Sequence, residues 1–398
     1  MLIEGRLDEP WHWYAQLTVP ATSSELIRKA IERGTAPVAS AFAAADLTSE
    51  HLAAQLDLPV DAVESLLGSP VAAPLVVVDG EDSVVTGAVA RQRAIGATVQ
   101  ALASSRNQAV DVGTVSAAVA YRTADPGSSR APLSDVLEIS RRLADAAAGR
   151  RLQAVVIPKA EGPDDVVVSE RAIEAIERDC GLALGSIRLL LLVETAGGFG
   201  RLPSIIDAAG PRLAGLIFGV ADYAADLGLP STDLRHPVAT LARARLIEAA
   251  ALSGVPAVDG MTFAFPIINQ ELSPEDRRRQ VVEGMVRTFR DSLGSLELGM
   301  AGKWLGHPAQ LFALELAVRR FYSSERIEAA LRHVRVLADA SREGRGVAMD
   351  AGLMLDRATD RQARTFLARA AAAGRFELGR IPLDSSIAEP ASADHAEG

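Results

Sequence analysis

The chain has 398 residues, 48% of them hydrophobic and 23% charged, the balance of a globular protein with a full core; a collagen-like or wholly disordered chain is excluded. Forty-one basic against fifty-one acidic side chains leave a formal charge of −10, which opposes any partner held by general attraction to phosphates, nucleic acid above all. A single cysteine, Cys180, rules out a disulfide framework and a cysteine-rich metal site, and suits a reducing cytoplasm.

The N-terminal stretch MLIEGRLDEPWHWY is acidic and aromatic where a secretory signal would be basic and then apolar. The longest uncharged apolar run, residues 65–78, is broken by Gly68, Pro70 and Pro74 and is shorter than the roughly 18 residues a membrane span needs. A cytoplasmic protein without a membrane partner is expected. Residues 14–20 read as a strand, and Thr22 with Glu25 as a capping box opening a helix. The stripe Leu26, Ile27, Ala30 and Ile31 runs along that helix to a stop at Gly34. Trp11, His12 and Trp13, just before this strand, read as a plug for the bottom of a barrel.

Residues 35–73 are too long for an ordinary connection. They hold LTSEHLAAQLDLPVDAVESLLG, which has the spacing of a helix-turn-helix. Residues 47–68 nevertheless carry Glu50, Asp57, Asp61 and Glu64 and neither Lys nor Arg, so a packing helical hairpin is expected rather than a DNA reader. Further strands are expected at 74–78, 118–122, 153–158, 187–193, 215–218, 256–259 and 296–300, making eight with the first. Eight strands separated by helix-sized gaps define an α/β chain folded as a (β/α)8 TIM barrel, with its chemistry on the loops after the strands. An open doubly wound sheet would bring a phosphate loop, yet neither G-x-G-x-x-G nor G-x-x-x-x-G-K-[ST] is present. The expected barrel occupies residues 1–308 with the helical insertion at 35–73. A C-terminal helical extension follows at 309–380, with helices at 309–321, 327–337 and about 360–373, then a loose polar tail at 381–398.

Polar residues cluster where the expected strands end. The second strand runs into Asp79-Gly80-Glu81-Asp82, the third ends in Arg122, the fourth in Lys159 and the fifth in Glu194; the sixth leads to Asp222, and Lys303 and His307 follow the eighth. A carboxylate directly after LLLLV is costly to desolvate unless it is paired or metal-bound. Glu194 and Asp222, on neighbouring strand ends, are two oxygen donors suited to octahedral Mg2+, with capping or salt bridging as the competing roles. Arg122 is placed to clamp a carboxylate or stabilise an enolate, or else to pair with Asp79 or Glu81; Lys159 and Lys303 are open in the same way. The six histidines show no H-x-x-x-H spacing, there is no G-x-S-x-G elbow, and 4% aromatic residues are few for a sugar platform.

Several strings in order resemble the HpcH/HpaI aldolase and citrate lyase β-subunit superfamily, in particular its malyl-CoA lyase and citrate-lyase-like branch. They are YAQLTVPATSSELIRKAIERG, VVVDGEDSVV, VVIPKAEG, LLLVETAGGFG with LIFGVADYAADLG, GMAGKWLGHPAQ and VAMDAGLMLDRATDRQARTFLARA. The resemblance implies a carbon–carbon lyase or aldolase that cleaves or forms a hydroxyacyl-CoA or hydroxy acid by a retro-Claisen or retro-aldol step through an enolate. It implies Mg2+, with Mn2+ as the alternative, no organic cofactor, and a CoA thioester with a 2-keto acid as the small-molecule substrates. Glu194 and Asp222 fall on the family's metal ligands, Arg122 on the substrate and enolate arginine, and Glu81 and Asp82 on carboxylates that order the water around the metal. Asp356 falls on an acid or base supplied by a neighbouring subunit, so a functional homo-oligomer, trimer or hexamer, is implied. Two positions depart from the pattern: Arg122-Thr123-Ala124 stands where R-V-N is common, and Ala221 precedes Asp222 where Glu is common. An acyl-CoA thioesterase on the same scaffold and a noncatalytic barrel that binds a partner are the competing readings.

Overall fold

The computed structural model describes residues 9–85, 87–105, 117–124, 133–146 and 151–380, so the tail expected at 381–398 lies outside the described residues. Eight parallel strands close into a barrel: β1 (Ala15–Pro20), β2 (Leu75–Asp79), β3 (Ala118–Arg122), β4 (Ala154–Pro158), β5 (Arg188–Val193), β6 (Leu213–Phe218), β7 (Ala257–Asp259) and β8 (Gly302–Leu305). Alternate residues point inward, so Leu75 and Val77, Ala154 and Val156, and Leu190 and Leu192 fill the interior with Trp304; Trp13 closes this cluster. The pairing register sets Asp79 opposite Arg122 and Val193 opposite Phe218, so the ends of β2, β3, β5 and β6 deliver their next polar residues to one rim.

Two local expectations are corrected. The first helix, Ser24–Arg33, takes its N-cap from Ser23, whose hydroxyl accepts the Leu26 N–H, rather than from Thr22; it does end at Gly34. Residues 296–300 are not a strand: the helix Pro274–Leu298 takes up the first three of them and is capped by Gly299, whose φ of 108° favours glycine. The eighth strand is the four-residue GKWL that follows. Its Gly302 is required, because a Cβ there would stand 1.8 Å from the Tyr14 carbonyl oxygen across the β8–β1 seam. A buried lysine inside so short a strand hid it from a hydrophobicity reading.

Residues 9–321 form one compact unit, which includes the insertion and the helix Pro308–Phe321. The insertion folds as three helices, Pro37–Ala44, Ser49–Leu56 and Val60–Gly68, and shares an apolar core with helices Pro274–Leu298 and Pro308–Phe321, where the rings of Phe42 and Phe312 meet edge-on at 5.9 Å. Glu50, Asp57, Asp61 and Glu64 are all exposed, which is the pattern of packing helices with a solvated acidic face.

The second unit, described from Tyr322 to Arg380, packs helices Ser324–Arg342 and Arg357–Ala372 with an antiparallel hairpin of β9 (Ala348–Asp350) and β10 (Leu353–Leu355). No described helix is long and apolar enough to cross a membrane.

Candidate active site at the C-terminal rim of the barrel

At the rim, β2 and β3 are tied together by one arginine. Arg122 donates through Nε to Asp79 Oδ1 at 2.9 Å and lies 2.9 Å from Asp79 Oδ2; the same guanidinium reaches Glu81 Oε2 at 3.0 Å and Asp82 Oδ2 at 2.9 Å. Asp79 is itself held by the amide N–H groups of Glu81 and Ser83, so the turn after β2 is wrapped around its carboxylate. Asp79, named from sequence only as an alternative partner for Arg122, is the anchor of this group. The guanidinium also stands 5.8 Å from the centre of the Trp304 ring. Burial pulls the Arg122 pKa down, but Asp79 above all, with Glu81 and Asp82, more than reverses this and keeps the charge fixed. Burial pushes the Glu81 carboxyl up against the pull of Arg122 and Lys159.

Lys159 follows β4 with φ of 50°, a left-handed conformation that costs a non-glycine residue roughly 1–2 kcal/mol. That geometry accompanies an ammonium 2.8 Å from Glu81 Oε1 and 3.4 Å from Asp222 Oδ1, and these carboxylates overcome burial to hold its pKa above the ordinary lysine value. Glu194, one residue past β5, is buried, and its Oε1 has no hydrogen-bond partner. Burial first, then the charges of Asp222 and Glu81, push its pKa up to about 9. Room for the side chain comes from Gly219: a Cβ at that position would lie 2.4 Å from both Cβ and Oε2 of Glu194. Asp222, in the first turn of the helix Val220–Asp226, remains partly exposed at the other side of Lys159.

Five carboxylates, Asp79, Glu81, Asp82, Glu194 and Asp222, thus face two cations, Arg122 and Lys159. The acids outnumber the cations, and two buried oxygens, Glu194 Oε1 and Glu81 Oε2, have no hydrogen-bond partner; this suits a hard cation bound through oxygen, with Glu194 and Asp222 as the candidate donors. Among the described residues no group of three or more His, Cys, Asp or Glu side chains is arranged to hold a metal ion by itself.

Lys303 and His307 make their hydrogen bonds outside this cluster. Lys303 sits within β8 instead of after it, is fully buried, donates to the Gly260 carbonyl at 2.6 Å and lies 3.8 Å from Asp259 Oδ2. It belongs to a network behind the barrel wall with Arg243 and Ser295, both bonded to Asp259. His307 follows β8, and its Nδ1 accepts the Ala309 N–H at 3.2 Å at the start of the helix Pro308–Phe321; burial lowers its pKa. Asp356 lies in the second unit, where it caps the helix Arg357–Ala372 by accepting the N–H groups of Ala358 and Thr359, which hold its pKa down.

A closed parallel barrel whose catalytic-face rim gathers acids, one arginine and one lysine around a buried carboxylate is an enzyme scaffold. Residues 137–388 match the family described as "Domain of unknown function (DUF6986)". An L-malyl-CoA/beta-methylmalyl-CoA lyase of Haloarcula marismortui is 32% identical over 226 residues, 56% of this chain and 62% of that protein, so the match spans less than two thirds of that relative. A citrate lyase subunit beta of Haemophilus influenzae is 30% identical over 227 residues, 56% of this chain and 69% of that one. Among solved structures, the protein CitE of Mycobacterium tuberculosis, in complex with magnesium, acetoacetate and coenzyme A, shares the fold at a TM-score of 0.51 and 21% identity, covering 90% of this chain and 97% of that one. The chain belongs to the DUF6986 family and to the HpcH/HpaI aldolase and citrate lyase β-subunit superfamily, whose relatives named here are lyases.

Proposed function

We propose that the chain is a Mg2+-dependent carbon–carbon lyase that cleaves or forms a hydroxyacyl-CoA or hydroxy acid. The observation that carries this reading is the buried Glu194 carboxylate with its unanswered Oε1, seated on Gly219 and next to Asp222. These two acids would hold Mg2+, with Mn2+ as the alternative, and the ion would supply Lewis-acid polarisation of a substrate carbonyl. Arg122 stays protonated and has a fixed orientation, so it would bind the substrate carboxylate or acyl oxygen and stabilise negative charge as the carbon–carbon bond breaks. Lys159 and Glu81 hold each other in place beside Asp222, and Asp82 on Arg122 completes the polar floor. The proton at the α-carbon would be delivered or removed by Asp356, contributed by a second copy of the chain in a homo-oligomer. The relative named as a malyl-CoA lyase, and the CitE complex with coenzyme A, support a CoA thioester with a 2-keto acid as the substrate pair.

The test is product analysis on purified protein given malyl-CoA with Mg2+ and with EDTA. Glyoxylate and acetyl-CoA formed only with metal, and lost in Glu194→Gln, is the expected result. Free CoA with intact hydroxy diacid identifies a thioesterase instead, and turnover that survives both EDTA and the substitution overturns the metal reading.

A further inference from the structure

The segment after β7, residues 260–268, reads GMTFAFPII, which is apolar where the opposite side of the mouth is charged. It follows a strand end, so it lies on the face of the barrel that carries Glu194 and Asp222. It is also joined to that group: a Cβ on Gly260 would stand 2.9 Å from the Phe218 carbonyl and 3.0 Å from Val220 Cγ1, the residues flanking Gly219 at the start of the turn that carries Asp222. Met261 packs on the interior cluster that contains Trp304, the ring beside Arg122.

The segment is clamped. The Thr262 carbonyl accepts Gln310 Nε2 at 2.7 Å, and the Thr262 hydroxyl donates to Asp291 at 2.9 Å. Gly284 lets the backbone at Pro266 press onto the helix Pro274–Leu298, since a Cβ there would meet Pro266 N at 2.7 Å. Gly306, at the end of β8, is open for the same reason: a Cβ would meet the Phe265 ring at 2.7 Å and Met261 Sδ at 3.1 Å. Met261, Phe265 and Gly306 therefore make one continuous apolar wall at the ends of β7 and β8. Phe263 extends it edge-on from Phe265, with ring centres 6.4 Å apart, and is held 48% exposed. With the backbone held at Thr262 and Pro266, the half-exposed Phe263 ring would gain by being covered with something apolar.

We infer that this wall is a specificity subsite and that the substrate carries a branched alkyl or aryl group which lies against Phe263 and Phe265 while its oxygen atoms occupy the acidic side of the mouth. The inference rests on the metal-dependent reading above and adds the class of the substrate's side chain. Continuity with the rim that holds Asp222 and Arg122 favours the substrate as occupant; a second copy of the chain is the rival occupant.

Calorimetry on the full chain with Mg2+ tests it, using glyoxylate, 4-methyl-2-oxopentanoate and phenylpyruvate as probes. The two apolar acids are expected to bind at least about tenfold more tightly than glyoxylate, the effect of covering roughly 60 Å² of apolar surface. The ratio should fall toward one in Phe263→Ala and be largely kept in Phe263→Leu; because the ring is half exposed, neither change threatens the fold. A ratio near one in the unaltered protein, or one that Phe263→Ala leaves intact, overturns the subsite while leaving the metal reading standing. Loss of self-association in Phe263→Asp together with a ratio near one assigns the wall to a contact between copies and also overturns it. If no 2-oxo acid binds with Mg2+ or Mn2+, the metal reading fails and this inference falls with it.

Discussion

Two buried clusters in the barrel unit are built from the same residue types and differ in what they leave unanswered. Behind the wall, Asp259 accepts Arg243 at 2.6 Å and the Gly260 amide at 2.9 Å as well as the Ser295 hydroxyl, and Lys303 has the Gly260 carbonyl. Both Asp259 oxygens are bonded by the protein itself. At the rim, Arg122 and Lys159 are shared among more carboxylates than they can neutralise, and Glu194 Oε1 has no partner. The contrast lies between the two acids rather than the whole clusters, since Arg243 Nε behind the wall also has no partner: an acid with both oxygens bonded holds a scaffold, and one with a bare oxygen has capacity for a ligand. Residue type does not separate the two, and hydrogen-bond accounting does.

The strongest way to break this contrast is to exchange charge for a neutral isostere on each side. Glu194→Gln should lower metal-dependent turnover about 10³-fold or more, because several kcal/mol of charge stabilisation go with the ion. Its unfolding midpoint should stay about level, since burial and the neighbouring acids already favour the uncharged form of Glu194 and the amide replaces it with a neutral group of the same shape. Asp259→Ala should do the reverse: about 3–5 kcal/mol lost in urea unfolding, with Lys303 and Arg243 left buried without the Asp259 counter-charge, and turnover per folded molecule kept. Equal stability losses in the two variants would erase the distinction. Gly219→Ala sharpens it further, because the added methyl would lie 2.4 Å from both Cβ and Oε2 of Glu194, so the whole Glu194 side chain must move away from the rim. Metal affinity measured by calorimetry should drop roughly 10–100-fold with the circular dichroism spectrum unchanged.

The alternation of β-rich and helical runs made the closed barrel legible, because strands buried on both faces leave unmistakable strings such as LVVVD and RLLLLV. Asp79, Glu194 and Asp222 were legible for the same reason, each being the first charge of such a string or after it, and Glu81 and Asp82 follow directly on Asp79. Lys303 was misplaced because β8 is four residues long and contains it, so the apolar end of the preceding helix read as the strand. Thr22 and Ser23 compete for one cap, and only the φ of −131° at Ser23 decides between them. Gly219 could not be found from sequence: its role is a space for a side chain 25 positions away, and a glycine after a strand has many commoner reasons to be there. The apolar segment after β7 was visible as letters, but its exposure depends on clamps by Gln310, Asp291 and Gly284, which only the fold brings to it.

A third carboxylate tests whether saturation predicts behaviour outside the two clusters. Glu177, on the helix Pro163–Asp179, is fully buried, accepts the amides of Gly185 at 2.9 Å and Ile187 at 2.7 Å, and is bound by Arg212 at 2.8 and 3.1 Å. Burial alone would push its carboxyl up, but Arg212 and the two amides outweigh burial and hold it below the ordinary 4.5. A carboxyl depressed in the folded state binds its proton more readily when unfolded. Its stabilisation is therefore complete above the ordinary carboxylate pKa and disappears as the pH falls through the lower folded value. Glu177→Gln should cost about 1–3 kcal/mol at neutral pH, the worth of hydrogen bonds to a charged group. The gap between the two proteins should narrow as the solution is acidified below about pH 4.5, because the unaltered protein loses what the variant never had. Thermal melts of both proteins across that range provide the measurement, and a gap that stays constant with pH would show that shape, not charge, is what Glu177 contributes.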